Sequence, residues 1–197
     1  TTASGEFSTA MGFLTKATGI LSTAMGVNTI AKGYSTTVVG FYNDSILTSN
    51  ETSISPTTPL FIVGNGDNSA ARSNAITVLK NGNTGIGTSV PNQLLHVYGT
   101  ANATAAKIEN SGTAEAILEL KGGGAGSTNW MVKSEGSASA VGAGKLNFRD
   151  NTAGLSRMVI DPNGNVGIGM SSPANKVHIF NGPSGGTAFA SIFTPLV

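Results

Sequence analysis

From residue 5 to residue 40 the chain mixes small apolar and small polar positions, and every seventh residue is a glycine: Gly5, Gly12, Gly19, Gly26, Gly33 and Gly40. Two positions ahead of these stand Ala3, Ala10, Ala17, Ala24, Ala31 and Val38. A coiled coil shares the period but needs two large apolar residues per heptad. A glycine in every heptad would cost about 1 kcal/mol each in a helix interior, so the helical reading fails. The match tightens at fourteen: FSTAMG (7–12) recurs as LSTAMG (21–26) and, more loosely, as YSTTVVG (34–40). Each fourteen predicts one coil of a solenoid, made of two short strands that each end in a glycine able to take positive φ. Strand alternation places Ser8, Ala10 and Gly12 on one face and Thr9 and Met11 on the other. Neither face is polar enough to be fully solvated. Coils rise by about 4.8 Å each, so three of them bury too little surface alone. Identical chains around a three-fold axis are the expected cover.

A second repeat has a longer period. AITVLKNGNTGIGTSVPNQLLHVYG (75–99) returns as RMVIDPNGNVGIGMSSPANKVHIFN (157–181), offset by 82 without a gap. Gly82, Gly85 and Gly87 match Gly164, Gly167 and Gly169; Pro91 matches Pro173 and His96 matches His178. A strand meeting Asn-Gly predicts a hairpin, and a further strand follows each proline. The bare positions Gly85 and Gly87 predict close backbone approach, with a crowded chain–chain axis as its expected place. Between the copies, AAKIEN, AILELKG, NWMVKSE, KLNFRD and SRMVID predict strands separated by glycine-rich turns, together a small antiparallel β-sandwich. The expected order is a β-roll (1–44), a connector (45–59), a hairpin knob (60–99), a sandwich (100–156), a second hairpin element (157–181) and the start of a further, truncated sandwich (182–197).

The A-x-G-x-x-S-T-A-M-G pattern of residues 1–44 resembles the YadA-like head repeat of trimeric autotransporter adhesins. That resemblance implies a left-handed parallel β-roll existing as a trimer. The third coil departs from the pattern, with TVVG in place of TAMG, as a terminal coil would. The NGNxGIG elements resemble those of phage tail fibres and related bacterial surface fibres, which are trimeric and often end in a self-cleaving chaperone domain. No segment here resembles that chaperone.

Composition narrows the classes further. Charged residues make up 11% of the 197-residue chain and the net charge is +1, with no Lys/Arg cluster to serve as a nucleic-acid footprint. Cysteine is absent, so there are neither disulfides nor thiolate metal sites. No apolar run approaches the length of a membrane helix, and no cofactor is expected. The opening TTASG lies already inside the repeat, so the chain reads as a piece of something longer.

Candidate chemistry is sparse. His96 and His178 occupy one motif position, which favours a structural role over a metal site on a three-fold axis. Glu115 and Glu119, the nearest carboxylates to a pair, would lie about 13 Å apart along a strand, too far for glycoside hydrolysis within one chain. SAVGAGKL (139–146) lacks the first glycine and the final hydroxyl of a phosphate loop. GNGDN (64–68) and DPNGN (161–165) lack the spacing of a calcium loop and read as turns. Trp130 reads as a core aromatic, with contact to a sugar ring as the alternative.

The expected protein is therefore not an enzyme. It is an all-β segment of an extracellular homotrimeric fibre that mediates attachment to a host cell or surface through an unspecified glycan or protein receptor. A virion tail fibre is favoured over a bacterial adhesin. The rival readings are a polysaccharide depolymerase with active sites between subunits, and an ice- or mineral-binding solenoid. The latter would need a longer threonine ladder than Thr9, Thr23 and Thr37.

Overall fold

The computed structural model describes residues 1–46, 50–99 and 106–180. The chain divides into two units, Thr1–Ala106 and Lys107–Val197. The described residues contain strands and turns and no helix.

The first unit opens as a β-solenoid. Strands β1 (Thr2–Ala3), β3 (Lys16–Ala17) and β5 (Ile30–Ala31) form a short parallel sheet. Strands β2 (Thr9–Phe13), β4 (Thr23–Val27) and β6 (Thr37–Phe41) stack in parallel in a longer one. Register partners such as Thr9, Thr23 and Thr37 are fourteen residues apart, so each fourteen is one coil. Ala17, Ala24, Ala31 and Val38 are completely buried between the sheets, with Ala10 packed against them. Small side chains suit this place because a coil of fourteen residues encloses little volume.

The turn chemistry departs from the expectation. Gly12, Gly26 and Gly40 do take positive φ, at 118°, 119° and 103°. Gly5 and Gly19 do not; they begin turns closed by Ser8 N–H to the Gly5 carbonyl and Ser22 N–H to the Gly19 carbonyl. The left-handed corners fall instead on Phe7, Leu14, Leu21, Asn28, Ser35 and Tyr42, one every seven residues. Such a conformation costs on the order of 1–3 kcal/mol per non-glycine residue and persists only where the surroundings fix it. Here the preceding coil fixes it: the N–H groups of Leu21, Asn28, Ser35 and Tyr42 donate to the carbonyls of Glu6, Phe13, Ile20 and Val27. Glycine is needed for stacking. A Cβ on Gly5, Gly12, Gly19 or Gly26 would collide with the backbone of its counterpart in the next coil, namely Gly19, Gly26, Gly33 and Gly40.

Asn43 ends the short sheet. Thr2 and Lys16 donate their N–H groups to the carbonyls of Thr15 and Thr29 in the coil above. At the next level Ile30 N–H donates to Asn43 Oδ1 at 2.7 Å, while Asn43 Nδ2 returns a bond to the Ile30 carbonyl. The buried carboxamide thus imitates the backbone of an absent strand. Asn43→Leu leaves two partly buried backbone groups unpaired and is expected to destabilise by about 1 kcal/mol or more, measured by chemical denaturation.

The long sheet does not stop at the third coil. Strand β7 (Pro59–Asn65) adds in parallel to β6, pairing Val38 with Ile62 and Gly40 with Gly64. Strands β8 (Asn74–Leu79) and β9 (Thr84–Ile86) follow antiparallel, and β10 (Leu95–Val97) lies parallel to β9. The order is β10-β9-β8-β7-β6-β4-β2. The first hairpin element is therefore a continuation of the roll's sheet, not a separate knob. Its turn is one residue longer than the two-residue hairpin that Asn-Gly suggests. Leu79 N–H donates to the Asn83 carbonyl around Lys80, Asn81 and Gly82, with Gly82 left-handed, the arrangement of a three-residue loop.

The second unit is a single six-stranded sheet in chain order, not the expected sandwich. Strands β11 (Ala116–Lys121), β12 (Asn129–Ser134), β13 (Leu146–Asp150), β14 (Leu155–Ile160) and β15 (Val166–Ile168) run antiparallel, and β16 (Val177–Ile179) lies parallel to β15. The reason is continuity: β14 is both the last strand of the expected sandwich and the first of the second hairpin element, so one ladder runs through. Residues 107–110 of the predicted AAKIEN strand are irregular. The predicted opening of a further sandwich at 182–197 lies outside the described residues.

Candidate assembly surface

Cross-strand partners point to the same side of a sheet, so the registers define rows of side chains. In the long sheet of the first unit one row reads Met11, Met25, Val39, Val63, Ile76, Ile86 and Val97, one apolar residue from each strand. The neighbouring row on the opposite face, Ala10, Ala24, Val38 and Ile62, is the side covered by the short sheet. Among the described residues no element packs over the first row: Met11 is 60% and Ile86 45% exposed, while Met25, Val39, Val63 and Val97 are half-buried beside their neighbours in the sheet. Phe13 and Phe41 stand exposed beside it on the same face.

The second unit repeats the arrangement. Leu118, Val132, Phe148, Met158, Ile168 and Ile179 form an unbroken row across all six strands. Leu146, Ile160, Val166 and Val177 form another on the same face. Trp130, paired with Leu120 and Asp150, also stands there half-exposed, rather than in a core of its own chain. The offset of 82 holds in three dimensions. Ile76 pairs with Ile86 as Met158 pairs with Ile168, and Val97 occupies the place of Ile179.

The motif glycines serve these rows indirectly. A Cβ on Gly85 would lie 2.6 Å from the Thr88 carbonyl oxygen, and one on Gly167 2.7 Å from that of Met170. Gly87 and Gly169 share a φ of 73° and abut the Tyr98 and Phe180 carbonyls. Close approach thus occurs within one chain, and this local crowding accounts for a bare residue at these positions. Gly82 and Gly164 are left-handed turn residues with open space around them.

Most of the candidate residues make local hydrogen bonds or ion pairs. His96 and His178 face Gly85 and Gly167 across the parallel pairs, and His178 Nδ1 accepts from Ala174 N–H. Asp161 Oδ1 accepts the N–H groups of Asn163 and Asn165, the latter bond chiefly holding its carboxyl below the usual range. In the other suspected calcium loop, Asn68 Oδ1 accepts from Ala70 and Ala71. Lys145, the lysine of the imperfect phosphate loop, donates to the carbonyls of Val141 and Ser171. Glu119 accepts from Asn129 Nδ2, whereas Glu115 pairs with Lys133, so the two carboxylates face different partners. The Glu115 carboxyl lies below its usual range through its own backbone N–H and then through Lys133. That of Asp150 is lowered first by Arg157, 2.6 Å away. Among the described residues no three His, Cys, Asp or Glu gather into a set able to hold a metal ion.

The fold and surface together define an all-β protein with a β-solenoid of parallel coils and, in each unit, a sheet with one uncovered apolar face. No protein-family model matches the chain, and no curated sequence matches it.

Proposed function

We infer that this chain is a structural segment of an extracellular homotrimeric fibre that carries attachment to a host cell or surface, a phage tail fibre ahead of a bacterial surface adhesin. The supporting observation is the pair of apolar sheet faces, one per unit, in registers that correspond through the 82-residue repeat. Contiguous apolar faces of this extent mark association surfaces. Identical chains around a three-fold axis are the expected cover for each face. In this reading the coils are those of a left-handed roll, and the role is mechanical: to project a receptor-binding tip, or to adhere along its length through avidity.

Sedimentation equilibrium is expected to give three chains per particle and no folded monomer. Deleting residues 100–181 removes one 82-residue period and joins Gly99 to Gly182. The shortened protein should remain a trimer and, within the intact particle or envelope, still attach through its tip. A compact folded monomer would refute the assembly. Loss of attachment from an intact trimer would move the binding surface into the deleted segment, with Trp130 as first candidate.

A further inference from the structure

On the side of the second sheet opposite its apolar rows, Lys133 of β12 and Asn147 of β13 are direct cross-strand partners. Ile117 and Val159 flank them in the same row. Partners of this kind hold their Cβ atoms about 4.5–5.5 Å apart, within reach of a lysine amine to the facing carboxamide. Asn147 is completely buried, and the Lys133 side chain is 11% exposed. Glu135, with no exposed side-chain surface, touches both: Oε1 accepts from Asn147 Nδ2 at 2.5 Å, and Oε2 lies 3.6 Å from Lys133 Nζ. Ser139 Oγ donates to Oε2 at 2.6 Å and holds the carboxylate in place. Asn147 Oδ1 is buried without a hydrogen-bond partner. Packing alone does not call for this set, since apolar residues of similar volume commonly replace a buried ion pair without loss of stability.

We propose that Lys133 and Asn147 form an intramolecular isopeptide cross-link, with Glu135 as the acid–base group. Glu135 takes a proton from the Lys133 ammonium. The freed lone pair on Nζ attacks Asn147 Cγ and forms the new C–N bond. Glu135 returns its proton to Nδ2, the Cγ–Nδ2 bond breaks, and ammonia leaves. The second Nζ proton departs with it as ammonium, so charge and atoms balance and no oxidant or co-reactant is required. Fixed juxtaposition of amine and carboxamide supplies the reactivity that the free groups lack, and exclusion of water prevents hydrolysis in place of amide formation. Glu115, whose Oε1 lies 3.2 Å from Lys133 Nζ, orients the ammonium before the reaction and is released by it. The product ties β12 to β13 and closes the 136–144 loop covalently. This cross-link is internal to one chain and independent of how chains associate.

The test is peptide mapping of the purified full chain by tandem mass spectrometry, alongside its intact mass after denaturation. The expected intact mass is below the sequence mass by one ammonia, with the peptides of Lys133 and Asn147 recovered as one branched species. A succinimide at an asparagine also loses ammonia but yields separate, linear peptides and is hydrolysed by mild base; that outcome refutes the proposal, as does the full sequence mass from chains that circular dichroism shows to be folded. In Lys133→Arg the branched species should vanish. In Glu135→Gln it should form at least a hundredfold more slowly, about the contribution of a general acid–base group. Unchanged cross-linking in Glu135→Gln would overturn the assigned role of that residue.

Discussion

Gly26→Val is expected to unfold the solenoid. A Cβ there would run into the Gly40 backbone of the next coil, and the residue's φ of 119° is one that side chains rarely adopt. Backbone cannot yield as a flexible side chain does, and the strand above is held by its own ladder to β7. Overpacking costs roughly 1–3 kcal/mol and the strained dihedral about as much again, so the loss should reach roughly 4 kcal/mol or more, a large share of the stability of an ordinary domain. Gly123→Val is the control, since nothing lies within 4 Å of a Cβ built there. It should change stability by no more than about 0.5 kcal/mol. Thermal unfolding of the two variants followed by circular dichroism should separate them widely. Equal melting temperatures would mean that the glycine column does not govern coil stacking.

Ile168→Asp, and Ile86→Asp at the equivalent position one repeat earlier, should abolish assembly. In a single chain these side chains are 42% and 45% exposed, so a carboxylate there is well solvated. If the chain acted alone, each change would stay within about 0.5 kcal/mol. In a three-chain assembly the same substitution brings three carboxylates into an apolar interface. Each loses about 1.5–3 kcal/mol of apolar burial, and the effective penalty of an unpaired buried ion adds several kcal/mol more. Sedimentation should show a shift from three chains to one, or to aggregates of unfolded chain. A trimer of unchanged melting temperature would remove the apolar rows from the interface.

Much of the fold was legible in the sequence because its cause is local. Stacked coils need the same residue at the same place in every turn, so the period of fourteen stands in the text of the chain. The identity of the two hairpin elements was equally visible, since the same Asn-Gly turn and the same tucked glycine demand the same letters at both sites. What escaped was whatever depends on partners distant in sequence. Strand β7 joins the solenoid sheet, although 24 residues rather than fourteen separate Gly40 from Gly64. The only trace was IVG at 62–64 echoing VVG at 38–40. The left-handed corners at Leu21, Asn28, Ser35 and Tyr42 escaped as well, because hydrogen bonds to an adjacent coil hold a conformation that local preference would assign to glycine.

The alternation of residues determined by itself that each strand from 116 to 168 has an apolar and a more polar side. It could not decide whether a second sheet would cover the apolar side. That depends on the direction the chain takes after each turn, and among the described residues the ladder of β11 through β16 uses every strand of the second unit to extend one sheet. The same alternation placed Lys133 and Asn147 among polar positions, with no hint that they meet. Only the register of β12 against β13, with Glu135 folded over both, brings an amine, a carboxamide and a carboxylate into one buried place. A strand's pattern is written by the backbone's two-residue period, whereas a neighbour's identity is set by where distant segments pair.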